Sequence, residues 1–303
     1  MRKIDNPLTV AGKGQKNKQS TRGKTMFGYN VLGFGSGGGG ASPALVDYLV
    51  VAGGGGGGIY DNNNGGGGGG AGGMRFSFCC GSVSQVEIDP ATEYTITVGG
   101  GGAKAPSNNT PSSRGGNSIA FACTPFSVTS TGGGGGRPSS EDTGGSGGGG
   151  SSVYSQPGGA GNTPPTSPSQ GNPGGSGQQT PSAPNNRGGG GGGHGGPGGS
   201  ASNGNDGAPG SGTANSITGS SVTYAFGGSG GGGPCGSEGC AEKGAGGGGG
   251  RSMGSAANGG GGVIVIRIPC GPADTAVTGS GNQVSDDGAA KVARFIASGT
   301  LTI

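Results

Sequence analysis

One histidine, six cysteines and a few loop clusters of Tyr, Asn and Arg are the side chains in this 303-residue sequence with chemistry to offer. His194 sits inside the Gly188–Gly199 stretch with no carboxylate near it in sequence, so neither a Ser/His/Asp relay nor a zinc-peptidase pair has local support. The acid pairs Glu141-Asp142 and Asp286-Asp287 read as solvated loop charges, because calcium would need further oxygens at set spacing. Gly33-Phe34-Gly35-Ser36-Gly37-Gly38 has the outline of a dinucleotide loop, but no helix follows to offer its N-terminus to a pyrophosphate. Gly23-Lys24-Thr25 fails as a P-loop, since the glycine needed five residues before Gly23 is Lys18. Among Cys79, Cys80, Cys123, Cys235, Cys240 and Cys270, only Cys235 and Cys240 enclose a small loop, Gly236-Ser237-Glu238-Gly239, that a disulfide can close. Two thiols fall short of the four ligands of a structural zinc site. The remaining cysteines are expected to be small and buried.

Recognition chemistry is the other candidate. Tyr60 with Asn62 and Asn63, Tyr154, Asn185 with Asn186 and Arg187, and His194 interrupt glycine runs. Such residues suit contacts to proteins or glycans. Equally, they suit capping of backbone groups left open where a run ends, and composition does not choose between the two.

Charge is segregated. Met1–Thr25 carries seven basic residues against Asp5, a net of 7 − 1 = +6, while the rest of the chain sums to 10 − 13 = −3. Residues 1–25 therefore form a basic arm too poor in apolar residues to fold alone, and Lys13, Lys16, Lys18, Arg22 and Lys24 are its candidate anchoring groups. Without interleaved aromatics to stack on bases, the arm is expected to dock on a protein surface, and no nucleic acid is required.

What positions these residues is unusual. Gly and Pro together fill 107 of the 303 positions, and Leu, Ile, Val and Phe number only 40, too few for one conventional core. That composition excludes most enzyme folds, and no cofactor is expected. Either the chain is disordered or the glycine backbone is itself the bonded structure; a net charge of +3 is low for an unfolded chain. Glycine does not recur every third position, which excludes collagen. No window reaches the length of a membrane span, so no membrane insertion is expected, and the opening residues lack the apolar stretch of a secretory signal.

From residue 26 onward, strand-like segments open directly into glycine runs. Ala44–Ala52 leads into Gly53–Gly58, Gly65–Gly73 into Met74–Phe78, Tyr94–Val98 into Gly99–Gly102, and Gly259–Gly262 into Val263–Ile268. Val86–Ile88 and Tyr94–Val98, flanking Asp89-Pro90-Ala91-Thr92, are predicted to be neighbouring strands. Ser118–Cys123, Phe126–Thr129, Ser221–Phe226, Val292–Ile296 and Thr300–Ile303 complete a small antiparallel sandwich. Between about residues 132 and 219 apolar side chains nearly vanish, so this stretch is expected to contribute nothing to a conventional core. The organisation is thus a basic arm (1–25), a connecting segment (26–43) and a glycine-rich domain (44–303). A run of six glycines in a threefold extended helix spans roughly 19 Å, makes no internal hydrogen bonds and turns every N–H and C=O outward, so parallel runs can bond to one another as a poly-glycine II bundle.

At these junctions the sequence resembles the glycine-rich domain of bacteriophage tail-fibre and virion proteins: Val46–Ala52 before its glycines, Tyr94–Val98 before Gly99–Gly102, and Gly259–Gly262 before Val263–Arg267. Ala297–Ile303 resembles a strand that accompanies this domain, although that strand usually precedes the Tyr-Leu-Val-Val strand and here closes the chain. The resemblance implies a mainly β protein with few or no α-helices, a jelly-roll-like sandwich carrying a poly-glycine II bundle. It also implies a virion structural protein on the particle surface, foremost a tail fibre or adhesin that meets other virion proteins and a host protein or glycan. A homo-oligomer is expected, a trimer favoured. The alternatives are a head-surface fibre or capsid decoration protein, and a secreted ligand-binding or ice-binding glycine-rich protein.

Overall fold

The computed structural model describes residues 42–60, 64–78, 84–136, 142–181, 186–202, 204–231, 242–250 and 256–303. Lys13, Lys16, Lys18, Arg22, Lys24, Asn62, Asn63, Asn185, Cys235 and Cys240 lie outside these residues. The chain divides into two units, Met1–Ser42 and Pro43–Ile303, and every strand named here belongs to the second.

Strands form where β-branched and aromatic residues cluster. They are β1 (Ala44–Val51), β2 (Met74–Phe76), β3 (Val86–Ile88), β4 (Glu93–Thr97), β5 (Ser118–Ala122), β6 (Val128–Ser130), β7 (Thr213–Asn215), β8 (Val222–Tyr224), β9 (Val263–Ile268), β10 (Ala276–Val277), β11 (Gln283–Asp287), β12 (Ala290–Phe295) and β13 (Gly299–Thr302). All pairings between them are antiparallel. One sheet runs β11-β12-β9-β1-β2, with β3 beside the first half of β1; the second runs β10-β13-β4-β5-β6. Their inner faces meet through Val46, Tyr48, Val50, Ile264, Ile266 and Ile268 on one side and Tyr94, Ile96, Phe121 and Leu301 on the other. The opposite face of the first sheet is apolar too: Leu49, Val51, Val263 and Val265 pack with Met74, Ile217 and Tyr224, which places the β7-β8 pair over that face. This explains why β1 and β9 read as almost continuous apolar runs instead of alternating, since both faces of these strands are covered.

Two expectations are corrected. β3 and β4 are consecutive but not neighbours: β3 pairs with β1, and β4 with β13 and β5. The Pro90 turn crosses between sheets, held by the Asp89 N–H donating to the Tyr94 hydroxyl (2.7 Å) and the Ala91 N–H to the Ile303 carbonyl (2.6 Å). Ile217, within the stretch with almost no apolar residues, is fully buried. A register shift between β4 and β5 coincides with Phe121 at φ 57°, so that Ala120 and Phe121, adjacent in sequence, are both buried.

Beyond the sandwich the glycine runs form the expected bundle. Run 53–58 shows the logic. The N–H groups of Gly53 and Gly56 donate to Gly116 and Ser113, those of Gly54 and Gly57 to Gly260 and Ala257, and those of Gly55 and Gly58 to Gly70 and Gly67, all at 2.9–3.0 Å. The carbonyls repeat the period: Gly53 and Gly56 accept from Gly133 and Gly136, Gly54 and Gly57 from Gly102 and Ala105, and Gly55 and Gly58 from Gly247 and Gly250, at 2.8–3.0 Å. Every third residue therefore faces the same neighbour, and one run is bonded to six others, three antiparallel through its donors and three parallel through its acceptors. A threefold helix with no side chains permits that arrangement, and a sheet, limited to two neighbours, does not. Ala71, the lone break in Gly65–Gly73, places its methyl in the apolar cluster on the outer face of the first sheet.

Candidate interaction surface at the bundle tip

The directions of the runs define two ends. β1 runs from Ala44 to Val51 and continues through Gly53–Gly58, so Gly53 lies against the sandwich and Gly58 at the far tip. Run 65–73 returns, because Gly55 and Gly58 bond to Gly70 and Gly67. Runs 188–193 and 207–212 descend beside it, as Gly68 donates to Gly189, Ala71 to Gly192, Gly207 to Gly188 and Gly210 to Gly191. In the loops there, the described residues Ile59–Tyr60, Ser151–Gln156, Gln178–Pro181, Asn186–Arg187, Ser202 and 204–206 consequently gather at the tip.

There Ile59, Ala105 and Ala256 form a small buried cluster that closes the bundle. Beside it, the Asn186 side chain, only 6 % exposed, donates from Nδ2 to Asn64 Oδ1 (2.7 Å) and accepts at Oδ1 from the Thr180 N–H (2.7 Å). The Ser152 N–H reaches the Gly65 carbonyl (3.0 Å). Gln178 and Arg187 exchange backbone hydrogen bonds at 2.8 and 2.9 Å, which closes that loop at its base. Arg187 pairs with Asp206 at 3.8 Å. Desolvation raises the Asp206 carboxyl above the ordinary carboxylate range, opposed by the Arg187 charge and the Gly188 backbone. The charges of Arg187 and Asp206 thus compensate one another.

Tyr154 is different. Its side chain is 81 % exposed, while its backbone and that of Ser155 take left-handed conformations, φ 56° and 48°. The Tyr154 N–H donates to Gln179 Oε1 (3.0 Å), and the Gln179 N–H to Ser155 Oγ (3.0 Å). Of the residues singled out from the sequence, the structure therefore brings Tyr60, Tyr154, Asn186 and Arg187 to one end, with Asn186 in the capping role and Tyr154 facing solvent. Gln179, Ser152 and Asp206 carry no sequence signal that separates them from other loop residues; Asn64 belongs to the same asparagine cluster as Asn62 and Asn63.

His194 lies at the other end, in the turn from Gly193 to Gly196 against the sandwich. Its Nδ1 meets Thr213 Oγ1 at 2.7 Å, its ring stands edge-on to Phe76 (centroids 5.9 Å apart), and it borders a cavity of about 80 Å³ with Tyr48, Met74 and Pro168. Desolvation holds its imidazole below its ordinary pKa, partly offset by a hydrogen bond to the Ser169 backbone. Asp142, expected as a solvated charge, is buried (2 % exposed) and ion-paired with Arg114. Cys123 and Cys270 are exposed free thiols, contrary to the expectation of burial, because both stand in left-handed turns (φ 64° and 50°) beyond the ends of β5 and β9. Among the described residues, no three His, Cys, Asp or Glu side chains gather as metal ligands would.

An antiparallel sandwich whose strands feed a hexagonally bonded glycine bundle defines the class of protein. The chain matches the family model of the glycine-rich domain over residues 41–269, well over half its length, and belongs to that family. No curated protein matches it. No solved structure does either.

Proposed function

We propose that the protein is a structural component of a bacteriophage particle, a tail fibre or adhesin, that attaches through its N-terminal region and presents the bundle tip to the host surface. The polarity of the second unit carries this reading. Its chain begins at Pro43, at the end of the sandwich away from the bundle, and its looped tip stands at the opposite end. The bundle between them is rigid because backbone bonds in six directions fix each interior run, so a contact at the tip is held at a set distance from the attachment end. No catalytic step is assigned; the protein acts by binding other virion proteins and a host surface group.

Removal of residues 1–24, followed by assay of the protein in purified particles, tests the attachment. Loss from the particle is expected, and undiminished incorporation sinks the anchoring role. Imaging of labelled particles then separates the two locations: density at the tail supports the adhesin, and density distributed over the head supports a surface fibre or decoration protein.

A further inference from the structure

Among the described residues, Tyr154 and Leu45 are the large apolar side chains left exposed, at 81 % and 55 %. Leu45 lies in β1, at the sandwich end; Tyr154 stands at the tip. A single exposed ring is ordinary on a protein surface, so what sets Tyr154 apart is how it is held. The mount beneath the ring is over-determined. Ser155 N–H donates to the Ser152 carbonyl (3.0 Å), Gln156 N–H to the Ser151 carbonyl (3.2 Å), and the Gln179 side chain and backbone hold Tyr154 and Ser155 from the neighbouring loop. Two consecutive non-glycine residues in the left-handed region are kept only where surrounding bonds dictate it, a pattern that accompanies function more often than chance. The ring is therefore pre-positioned, and a ligand has little loop ordering left to supply.

The neighbourhood specifies the ligand's chemistry. The side chains flanking Tyr154 in sequence and across the loop contact are Val153, which is half-buried, and the neutral hydroxyls and amides of Ser155, Gln156 and Gln179. Of the described residues in the four loops named above, Arg187 is the cation, and it is already paired with Asp206, so an anionic partner gains little from it. A folded protein partner buries about 800 Å² per side around several clustered anchors, whereas of the two tyrosines at the tip Tyr154 alone is exposed, Tyr60 being half-buried. A sugar ring fits: its C–H face stacks on the electron-rich aromatic face, and its hydroxyls bond to amides and hydroxyls at the rim. Resting on the reading of the tip as host-facing, we infer that Tyr154 is the stacking platform of a subsite for a neutral glycan, with Gln179 and Ser155 as its polar rim.

The full chain and its Tyr154→Ala and Tyr154→Phe variants are to be applied to immobilised glucan, mannan and galactan and to a uronic acid polysaccharide. Retention on at least one neutral polymer is expected, weakened at least about tenfold by Tyr154→Ala and less than about threefold by Tyr154→Phe, because the ring carries the stacking. Equal melting temperatures for the three chains confirm that folding is unaffected at this exposed site. Retention on no polymer, on the uronic acid polymer alone, or unchanged in Tyr154→Ala overturns the glycan assignment. In that event, purified chain that still blocks adsorption of the particles to their host leaves the adhesin reading standing with a protein receptor. Purified chain that blocks nothing ends both.

Discussion

Gly54 and Gly100 are the same residue type in neighbouring runs, yet they tolerate opposite changes. A Cβ on Gly54 would fall on the Ala245 carbonyl oxygen, which is backbone and bonded in turn, whereas a Cβ on Gly100 meets nothing within 4 Å. Gly54→Ala is expected to cost about 3 kcal/mol or more, and Gly100→Ala to be neutral or stabilising by about 0.4 to 1 kcal/mol through the unfolded chain. Chemical denaturation of the two variants checks both, and equal effects would contradict close packing of the runs. His194 offers a second test at this scale. Its folded pKa is depressed by burial, so the stability it contributes is present above the unfolded value of about 6.5 and lost as pH falls from there through the folded value. Melting temperature is expected to drop between pH 7 and pH 5 in the parent, and to drop less in His194→Gln, which keeps polar groups beside Thr213 without taking up a proton.

At the scale of elements, a run's place in the bundle decides what it exposes. Run 53–58 is enclosed by six neighbours, whereas run 99–105 lies at the edge, and its exposure has a period of three: Gly101 and Ala103 are exposed while Gly102 and Ala105 are buried and donate to Gly54 and Gly57. Amide exchange should follow the same pattern, slow throughout 53–58 and slow at Gly102 and Ala105 but fast at Gly101. Uniformly fast exchange in these glycines would return the chain to the disordered reading. The tip loops are elements of the same design, closed by side chains where backbone partners run out. Asn186→Ala removes the hydrogen bonds that its side chain makes with the Thr180 N–H and the Asn64 amide, a loss of about 1 to 3 kcal/mol that should appear first as faster exchange at Thr180.

For the molecule as a whole, strands and runs are one continuous backbone, so sandwich and bundle are expected to melt together. β1 passes into run 53–58, and run 65–73 passes into β2, without an intervening linker. Gly54→Ala should lower a single calorimetric transition, not release the bundle from an intact sandwich; two separated transitions would show the two parts to be independent. The same continuity makes the bundle a spacer between the end where β1 begins and the tip where Tyr154 projects, which is the property an attachment fibre requires.

Much of this was legible along the chain. The strands announce themselves through β-branched runs, and direct strand-to-glycine junctions such as Val51-Ala52-Gly53 favour bonded runs over flexible linkers. The sequence alone thus determined a mainly β chain and left its glycines two readings, because the outward N–H and C=O groups of threefold helices can bond to water or to neighbouring runs; the hydrogen bonds between runs decide for the bundle. The sequence could not say which run lies beside which, because every run presents the same atoms and only the sandwich strands fix their order and direction. Nor could it separate Tyr154 from Asn186, or His194 from the tip loops: all interrupt glycine runs in the same way. Tertiary structure decided that one caps, one projects and one ties the runs to the sandwich, through distances between residues as far apart as Asn64 and Asn186 that no local pattern encodes.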